Sequence, residues 1–454
     1  MTRVIVIGCG AAGATAALWA RKTDRKAEVI VIGDEPYPEY SRCGLPYTIS
    51  EKVRDFDDLI LMKKDAWDLQ KIDLRLEQIV KEIDRNSKKI KVAKKDGSEY
   101  ELEYDSLVIA TGGRNSYPPI KGLDTDRVMG LRTLEDAKKL KEYSKSIKKA
   151  VIIGGGLIGM EVAEALNEKN IDVTVVEFLP GILLAMLDSD LSKQVRELAQ
   201  EHGVKVLVNH QAIEIISENN TAKAVLVKNR ESGEEFKIDA DVVIVATGTK
   251  PNVELAKSAG IEIGITGAIK TDKFMRTSDP NIYAAGDCAE NISFITKKPM
   301  NLGLGTIAVR EGRVAGINAV GGNASFMGII GTKVTKLFGV EIASVGLTTE
   351  DAKKNNINIV KGSLKGLSKP PYYIEAKPLK IKAFFKKDDA KLVGAQTLGE
   401  DDAAQRINVF ALGIQMGADV NQMFDLENCY APAVADTWDP ICLAADAAKK
   451  RLKR

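Results

Sequence analysis

Val4-Ile5-Val6-Ile7-Gly8-Cys9-Gly10-Ala11-Ala12-Gly13 follows three opening residues and decides the fold. The alternating valines and isoleucines read as a buried strand, the glycines as the turn after it, and Ala14–Lys22 as the next helix. A second apolar strand, Glu28–Ile32, ends at Gly33-Asp34-Glu35, about twenty residues beyond the last glycine. Strand, glycine turn, helix, strand and acid make a dinucleotide fingerprint. Gly8, Gly10 and Gly13, with Ala11 and Ala12 among them, let a pyrophosphate reach the helix N-terminus. Gly33 stands where the ribose-binding acid is expected, so Asp34 or Glu35 must serve.

The pattern recurs. Ala150–Ile153 leads into Gly154-Gly155-Gly156-Leu157-Ile158-Gly159, the helix Met160–Asn167 and the strand Val173–Val176, which ends at Glu177. Gly154, Gly156 and Gly159 form the second turn. Glu177 would accept a 2′-hydroxyl and repel a 2′-phosphate, and no arginine cluster follows at Phe178-Leu179, so NADH is expected over NADPH. Each fingerprint has a strand ending in Ala-Thr-Gly, at Ala110-Thr111-Gly112 and at Ala246-Thr247-Gly248. The small residues there admit a ligand to the backbone. Such a repeat implies two related nucleotide-binding domains.

Cys43 lies in Tyr40-Ser41-Arg42-Cys43-Gly44-Leu45-Pro46-Tyr47, at the expected start of a helix. The helix dipole and the adjacent Arg42 would both favour its thiolate. No second cysteine follows within a few residues, so the redox work expected of Cys43 is that of a single thiol. Further on, Tyr283-Ala284-Ala285-Gly286-Asp287 reads as a short strand ending in Gly-Asp, before a helical run at about 304–319. Asp287 would bond a polyol or, alternatively, cap a helix. From about residue 326 no fingerprint occurs, and strands (Thr332–Phe338, Leu379–Phe385) precede helices (about 402–417 and 441–453) in a separate α+β domain.

The chain has 454 residues, 65 basic and 63 acidic, for a net charge of +2, which gives no case for nucleic acid or an anionic membrane. No apolar run approaches the roughly 18–20 residues of a membrane span. Met1-Thr2-Arg3 is no secretory leader, and the cysteines (9, 43, 288, 429, 442) have no metal-ligand or disulfide-framework spacing. A cytoplasmic protein without metal is expected. Its histidines, His202 and His210, read as surface residues.

Taken in order, these pieces resemble the flavin-dependent pyridine nucleotide-disulfide oxidoreductases over essentially the whole length. The resemblance implies an α/β fold with two Rossmann-like domains and a C-terminal α+β dimerisation domain. The FAD domain would comprise 1–113 and 250–325, the NADH domain 114–249, and the homodimer-forming domain 326–454. The first fingerprint with Asp34, Glu35, Arg42, Thr111, Gly112, Gly286 and Asp287 would hold FAD. The second, with Glu177 and Gly248, would hold NADH.

Ser41-Arg42-Cys43-Gly44-Leu45-Pro46-Tyr47 is similar to the single-cysteine branch: coenzyme A disulfide reductases, NADH oxidases and peroxidases, and NADH-dependent polysulfide reductases. The oxidases and peroxidases carry a histidine where this chain has Ala11. The coenzyme A enzymes use C-terminal tyrosines, matched here by Tyr372-Tyr373 and Tyr430-Ala431-Pro432, with Tyr373 and Tyr430 as the assigned pair. Core or interface aromatics are the alternative. Arg21 and Lys22 match a basic pair that contacts nucleotide phosphates, making coenzyme A a further candidate ligand; helix C-terminal cations are the alternative. Glu161 resembles a carboxylate near nicotinamide and flavin, or is a solvated helix residue. Cys429 is expected to pack simply rather than approach the partner subunit's Cys43, and Cys9, Cys288 and Cys442 likewise. No rhodanese-like extension is expected beyond Lys449–Arg454. The implied activity is reduction of a small disulfide or polysulfide by NADH through FAD and Cys43. Oxidase or peroxidase chemistry on a Cys43 sulfenic acid is the alternative, and a non-enzymatic NADH-binding flavoprotein the second.

Overall fold

Strands that are apolar on both faces need cover on both sides, which a parallel sheet with flanking helices supplies. A computed structural model of the chain describes residues 1–452. The chain divides into two compact units. The first comprises Met1–Ser116, Arg132–Lys138 and Thr249–Ile329, and the second Tyr117–Leu131, Lys139–Gly248 and the chain from Ile330 onward.

In the first unit, five parallel strands run in the order Ile282–Ala284, Ser106–Ile109, Arg3–Ile7, Glu28–Ile32, Ile72–Arg75. The Val4–Ile7 run pairs on one side with Ser106–Ile109 and on the other with Val29–Ile32. That central position buries it completely or nearly so. The helix Ala11–Thr23 packs against the helix Gly305–Ala319. The charged stretch after Cys43 holds a three-stranded antiparallel meander, Gln78–Asp84, Lys89–Lys94 and Glu99–Glu103.

The second unit repeats the design. Its parallel sheet runs Lys205–Leu207, Asp172–Val176, Lys149–Ile153, Val242–Val245, Val128–Met129, with the helix Leu157–Asn167 after the fingerprint. A second meander, His210–Glu218, Thr221–Asn229 and Glu235–Asp239, matches the first in kind. The same unit contains a five-stranded antiparallel sheet built from Lys333–Leu337, Val340–Gly346, Leu392–Gly399, Pro378–Lys386 and Ile359–Leu367. Helices Ala403–Met416, Val420–Phe424 and Pro440–Leu452 accompany it. Residue 453, where the last helix was expected to end, lies outside the described residues. Among those residues no helix is long and apolar enough to cross a membrane.

Candidate functional site

Both fingerprints close as dinucleotide turns must. Gly8 has φ +106° and Gly154 φ +111°, and a Cβ on either would lie 2.2 Å or 2.5 Å from the carbonyl oxygen of Ala110 or Ala246. Only glycine fits there. Gly10 and Gly156, by contrast, face open space at the start of their helices, where a Cβ would meet nothing within 4 Å. That open ground beside a helix N-terminus without a side-chain cap fits a pyrophosphate. Ala11 and Ala12 follow in the first turn of the first helix, with Ala12 buried.

The strand Ile282–Ala284 stops short of Gly286-Asp287, so Asp287 lies in the turn beyond it; it caps no helix, since Leu304 is the N-cap residue of the next one. Its carboxylate pairs with Arg132 at 2.9 Å. Asn301 donates to the Asp287 and Ala289 carbonyls at 3.0 and 2.7 Å. Arg132 also lies near Gly112, 3.7 Å from where a Cβ would stand, and its carbonyl accepts from Arg42 at 2.9 Å. One arginine thus ties Gly112, Asp287 and the Cys43 segment together, and no local motif marked it. Thr111 and Asn252 exchange bonds of 2.7 and 2.9 Å, closing the Ala-Thr-Gly turn.

Gly286 donates its N–H at 2.8 Å to the carboxyl of Glu311, another residue that sequence reasoning missed. Burial pushes Glu311 up to about 8. A carboxyl raised in the folded state contributes stability that is fully present below its unfolded value and is lost as pH rises towards 8. Glu311→Gln is therefore expected to melt like the parent near pH 5 and several degrees higher at pH 9. At roughly 1.4 kcal/mol per pK unit, a rise from 4.5 to about 8 makes that gain on the order of 5 kcal/mol. Equal melting temperatures across the range would refute the assignment. Glu39, raised by burial to about 7, slopes in the same direction.

Cys43 is exposed, but its setting differs from the expected helix start. It occupies a single 3-10 turn, Arg42–Gly44, followed by a helix of only five residues, Leu45–Ile49. So short a helix supplies little dipole. Nor does Arg42 present a bare charge: its guanidinium bonds Glu35 at 2.5 Å and the Tyr40 hydroxyl at 2.7 Å. Tyr40 in turn donates to the other Glu35 oxygen at 2.6 Å. The helix dipole expected at Cys43 is therefore weak, and the Arg42 charge is shared with Glu35 and Tyr40. Of the two candidate ribose acids, Glu35 is held in this network and Asp34 is exposed.

Glu177 is buried, and its two oxygens accept from Gly155 N–H at 2.5 Å and Leu179 N–H at 2.7 Å. The acid locks its own loop against the second turn. Gly248, at φ +103°, faces open space, and Gly159 packs under Gly154. Glu161 is half-buried rather than solvated; burial raises its carboxyl, and the Thr335 hydroxyl donates to it at 2.8 Å.

The tyrosines need a correction. Tyr430 meets Tyr372, not Tyr373, with 3.3 Å between hydroxyls, and both rings are exposed. Tyr373 instead lies beside Lys369, whose ammonium is 5.5 Å from the ring centroid. Arg21 is also corrected. Four of its five N–H groups are committed to the carbonyls of Arg25, Ala27, Gln70 and Lys71 at 2.6–3.0 Å, so it pins the chain instead of facing a phosphate. Lys22 is exposed beside Trp19, at 5.2 Å from its ring. Cys429, expected to pack, is exposed; Cys288 and Cys442 are buried and Cys9 is half-buried. His202 is exposed and His210 half-buried.

A family model described as pyridine nucleotide-disulphide oxidoreductase matches residues 2–312, and the dimerisation domain of the same family matches 332–440. An NADH oxidase of Methanocaldococcus jannaschii is 39% identical over 453 residues, covering 99% of each chain. A CoA-dependent NAD(P)H sulfur oxidoreductase of Pyrococcus furiosus is 32% identical over 98% of both. The solved NAD-dependent persulfide reductase from A. fulgidus superposes with a TM-score of 0.95 at 37% identity, over 99% of this chain and 84% of that one.

Proposed function

The chain belongs to the pyridine nucleotide-disulphide oxidoreductases, an FAD-dependent family, and on that premise we propose that it uses NAD(P)H to reduce a small disulfide or polysulfide through Cys43. The observation that carries the proposal is the exposed Cys43 in a fold whose two fingerprints both leave open ground for a dinucleotide. The division into FAD (1–113, 250–325), NADH (114–249) and dimerisation (326–454) domains is part of the reading. The gap between family matches at 312 and 332 supports its last boundary. A homodimer built through the last segment is proposed on the same ground.

The first fingerprint, with Asp34 or Glu35, Arg42, Thr111, Gly112, Gly286 and Asp287, would hold FAD, and the second the nicotinamide dinucleotide. When bound, the flavin supplies the two electrons that return a Cys43 mixed disulfide to the thiolate. The residues do the rest. Cys43 thiolate attacks one sulfur of R–S–S–R; a Cys43–S–R bond forms, the S–S bond breaks, and RS⁻ leaves. That thiolate needs a proton, and the Tyr372–Tyr430 phenols are the assigned donor. Tyr430 is the assigned donor, and Tyr372, whose hydroxyl lies 3.3 Å away, is its orienting partner. Tyr430→Phe is expected to lower kcat on a disulfide by about a hundredfold. Tyr373→Phe should change it less than about twofold, and reduction of the bound flavin by NADH should be untouched in both. Equal losses at 373 and 430 would overturn the pairing.

The sulfur and persulfide names of the Pyrococcus and A. fulgidus proteins favour this reading. The Methanocaldococcus relative, named an NADH oxidase, keeps a second one in play: Cys43 as a sulfenic acid cycling with oxygen or peroxide. Ala11, in place of the histidine that branch carries, argues against it. Anaerobic NADH turnover on coenzyme A disulfide and on polysulfide, compared with aerobic turnover, separates the two. Consumption only with oxygen or peroxide would move the assignment to the oxidases.

A further inference from the structure

Asp287 is held from three sides. Arg132 pairs with its carboxylate at 2.9 Å, and Asn301 donates to its carbonyl at 3.0 Å. The third hold acts one residue earlier, where the Glu311 carboxyl accepts the Gly286 N–H at 2.8 Å. Gly286 has φ +83°, and a Cβ on it would lie 2.8 Å from that of Ala12. The turn is thus pressed against the start of the first fingerprint helix. Glu311 is 1% exposed, and its neighbour Gly312 packs on the Ala12 carbonyl. One buried carboxyl therefore joins the Ala11–Thr23 helix, the Gly305–Ala319 helix and the Gly286-Asp287 turn. Asn291, itself buried, is its other polar partner.

Glu311 has no cation to pair with among the described residues. Arg310 and Arg313 of its own helix are exposed, the second over the Trp19 ring. The Ala11–Thr23 helix carries its cations, Arg21 and Lys22, at the far end. The strand Ser106–Ile109 has no titratable group, and Ile282–Ala284 brings only Tyr283, whose hydroxyl donates to the Asn318 carbonyl at 3.1 Å. From the segment after Gly286 come Asp287, the buried Cys288 thiol, and Glu290, which accepts from the Thr266 N–H and hydroxyl at 2.7 Å.

A buried carboxyl without a counter-charge is cheapest as the neutral acid. Burial first, and then the charge of Asp287, raise Glu311 accordingly. As a neutral acid it accepts the Gly286 N–H without setting a second negative charge beside Asp287. We propose that Glu311, held neutral, is the positioning residue for Asp287: it sets that carboxylate for the hydroxyls of the FAD polyol chain, and its ionisation loosens the flavin. The inference rests on the reading that Gly286 and Asp287 hold FAD.

The test is release of FAD on dilution of the holoenzyme, read by free-flavin fluorescence between about pH 6.5 and about pH 9. The proteins are the parent, Glu311→Gln, Glu311→Leu and Asp287→Asn. With an acid that must stay neutral and titrates at about 8, the parent is expected to bind FAD about tenfold more weakly at the upper pH. The amide of Glu311→Gln keeps an acceptor and cannot ionise, so this variant should match the parent at the lower pH and change less than about twofold. Glu311→Leu leaves the Gly286 N–H without an acceptor and should bind about tenfold more weakly throughout. Asp287→Asn should bind more weakly throughout and flatten the fall with pH, because the repelled charge is gone. A fall in Glu311→Gln or Asp287→Asn as steep as the parent's overturns the proposal, as does parent-like binding by Glu311→Leu. Should Glu311→Leu fail to fold, the contrast between the parent and Glu311→Gln decides. Parent-like binding by Asp287→Asn would remove the FAD reading of Asp287 itself, and the proposal with it. Melting curves that lie above the assay temperature exclude unfolding as the cause of release. The assay contains no electron acceptor, so its outcome is independent of the chemistry at Cys43.

Discussion

Cys43→Ser is expected to lower anaerobic turnover on a disulfide by about a thousandfold or more, while FAD content and melting temperature hold steady. A serine hydroxyl is almost wholly protonated near neutral pH and cannot take the place of a thiolate in disulfide exchange. Cys43 is exposed, so the substitution should cost less than about 0.5 kcal/mol of stability. Neither Cys9 nor Cys288 can replace it. Burial pushes Cys9 up to about 12 and Cys288 up to about 11, which leaves almost no thiolate at neutral pH. Cys429 is the other exposed thiol, and Cys429→Ser is the control that should keep full turnover. Undiminished disulfide reduction by Cys43→Ser would falsify the single-thiol mechanism. The same variant assayed with oxygen decides the second reading: unimpaired oxygen consumption would mean that oxygen meets reduced flavin without a sulfenic acid.

The parts of this molecule that were legible in the sequence are those whose signal is local. Val4–Ile7 and Glu28–Ile32 alternate nothing with polar residues because both faces are buried, and their glycine turns follow at fixed spacing. The helix expected at about 304–319 occupies Gly305–Ala319 for the same reason. Side-chain partnerships between distant segments left no such mark. Arg132 reaches Asp287 across 155 positions, and nothing in Leu131-Arg132-Thr133-Leu134 announces it. Glu311 is an acid in a helix whose burial arises only once the Gly286 turn folds onto it. Adjacent Tyr372 and Tyr373 are indistinguishable by composition; the direction of each ring in its turn decides which meets Tyr430. Arg42 is a further case: its ion-pair partner in the fold is Glu35, seven positions back, which its place beside Cys43 does not announce.

Gly312→Val is expected to unfold the first unit or leave it without FAD, the largest stability effect foreseen for a single substitution here. The helix Gly305–Ala319 crosses the fingerprint helix Ala11–Thr23 where glycines permit backbone contact. A Cβ on Gly312 would stand 2.3 Å from the Ala12 carbonyl oxygen, and one on Gly316 2.1 Å from that of Ala16. Both obstacles are backbone, which cannot rotate aside as a side chain would. Relief requires the helices to separate, and with them Ala12, which packs 2.8 Å from where a Gly286 Cβ would lie. The flavin turn and the Gly286-Asp287 segment are thus held by one close helix pair. Overpacking of this kind costs about 3 kcal/mol or more. Gly305 is the internal control, because a Cβ there meets nothing within 4 Å. Gly305→Ala should be neutral or stabilise by up to about 1 kcal/mol through helix propensity and reduced unfolded-state entropy. Urea unfolding and flavin absorbance of the two variants check both statements. A Gly312→Val protein that retains flavin and the parent midpoint would mean that the helices tolerate separation, and that the fingerprint does not depend on their contact.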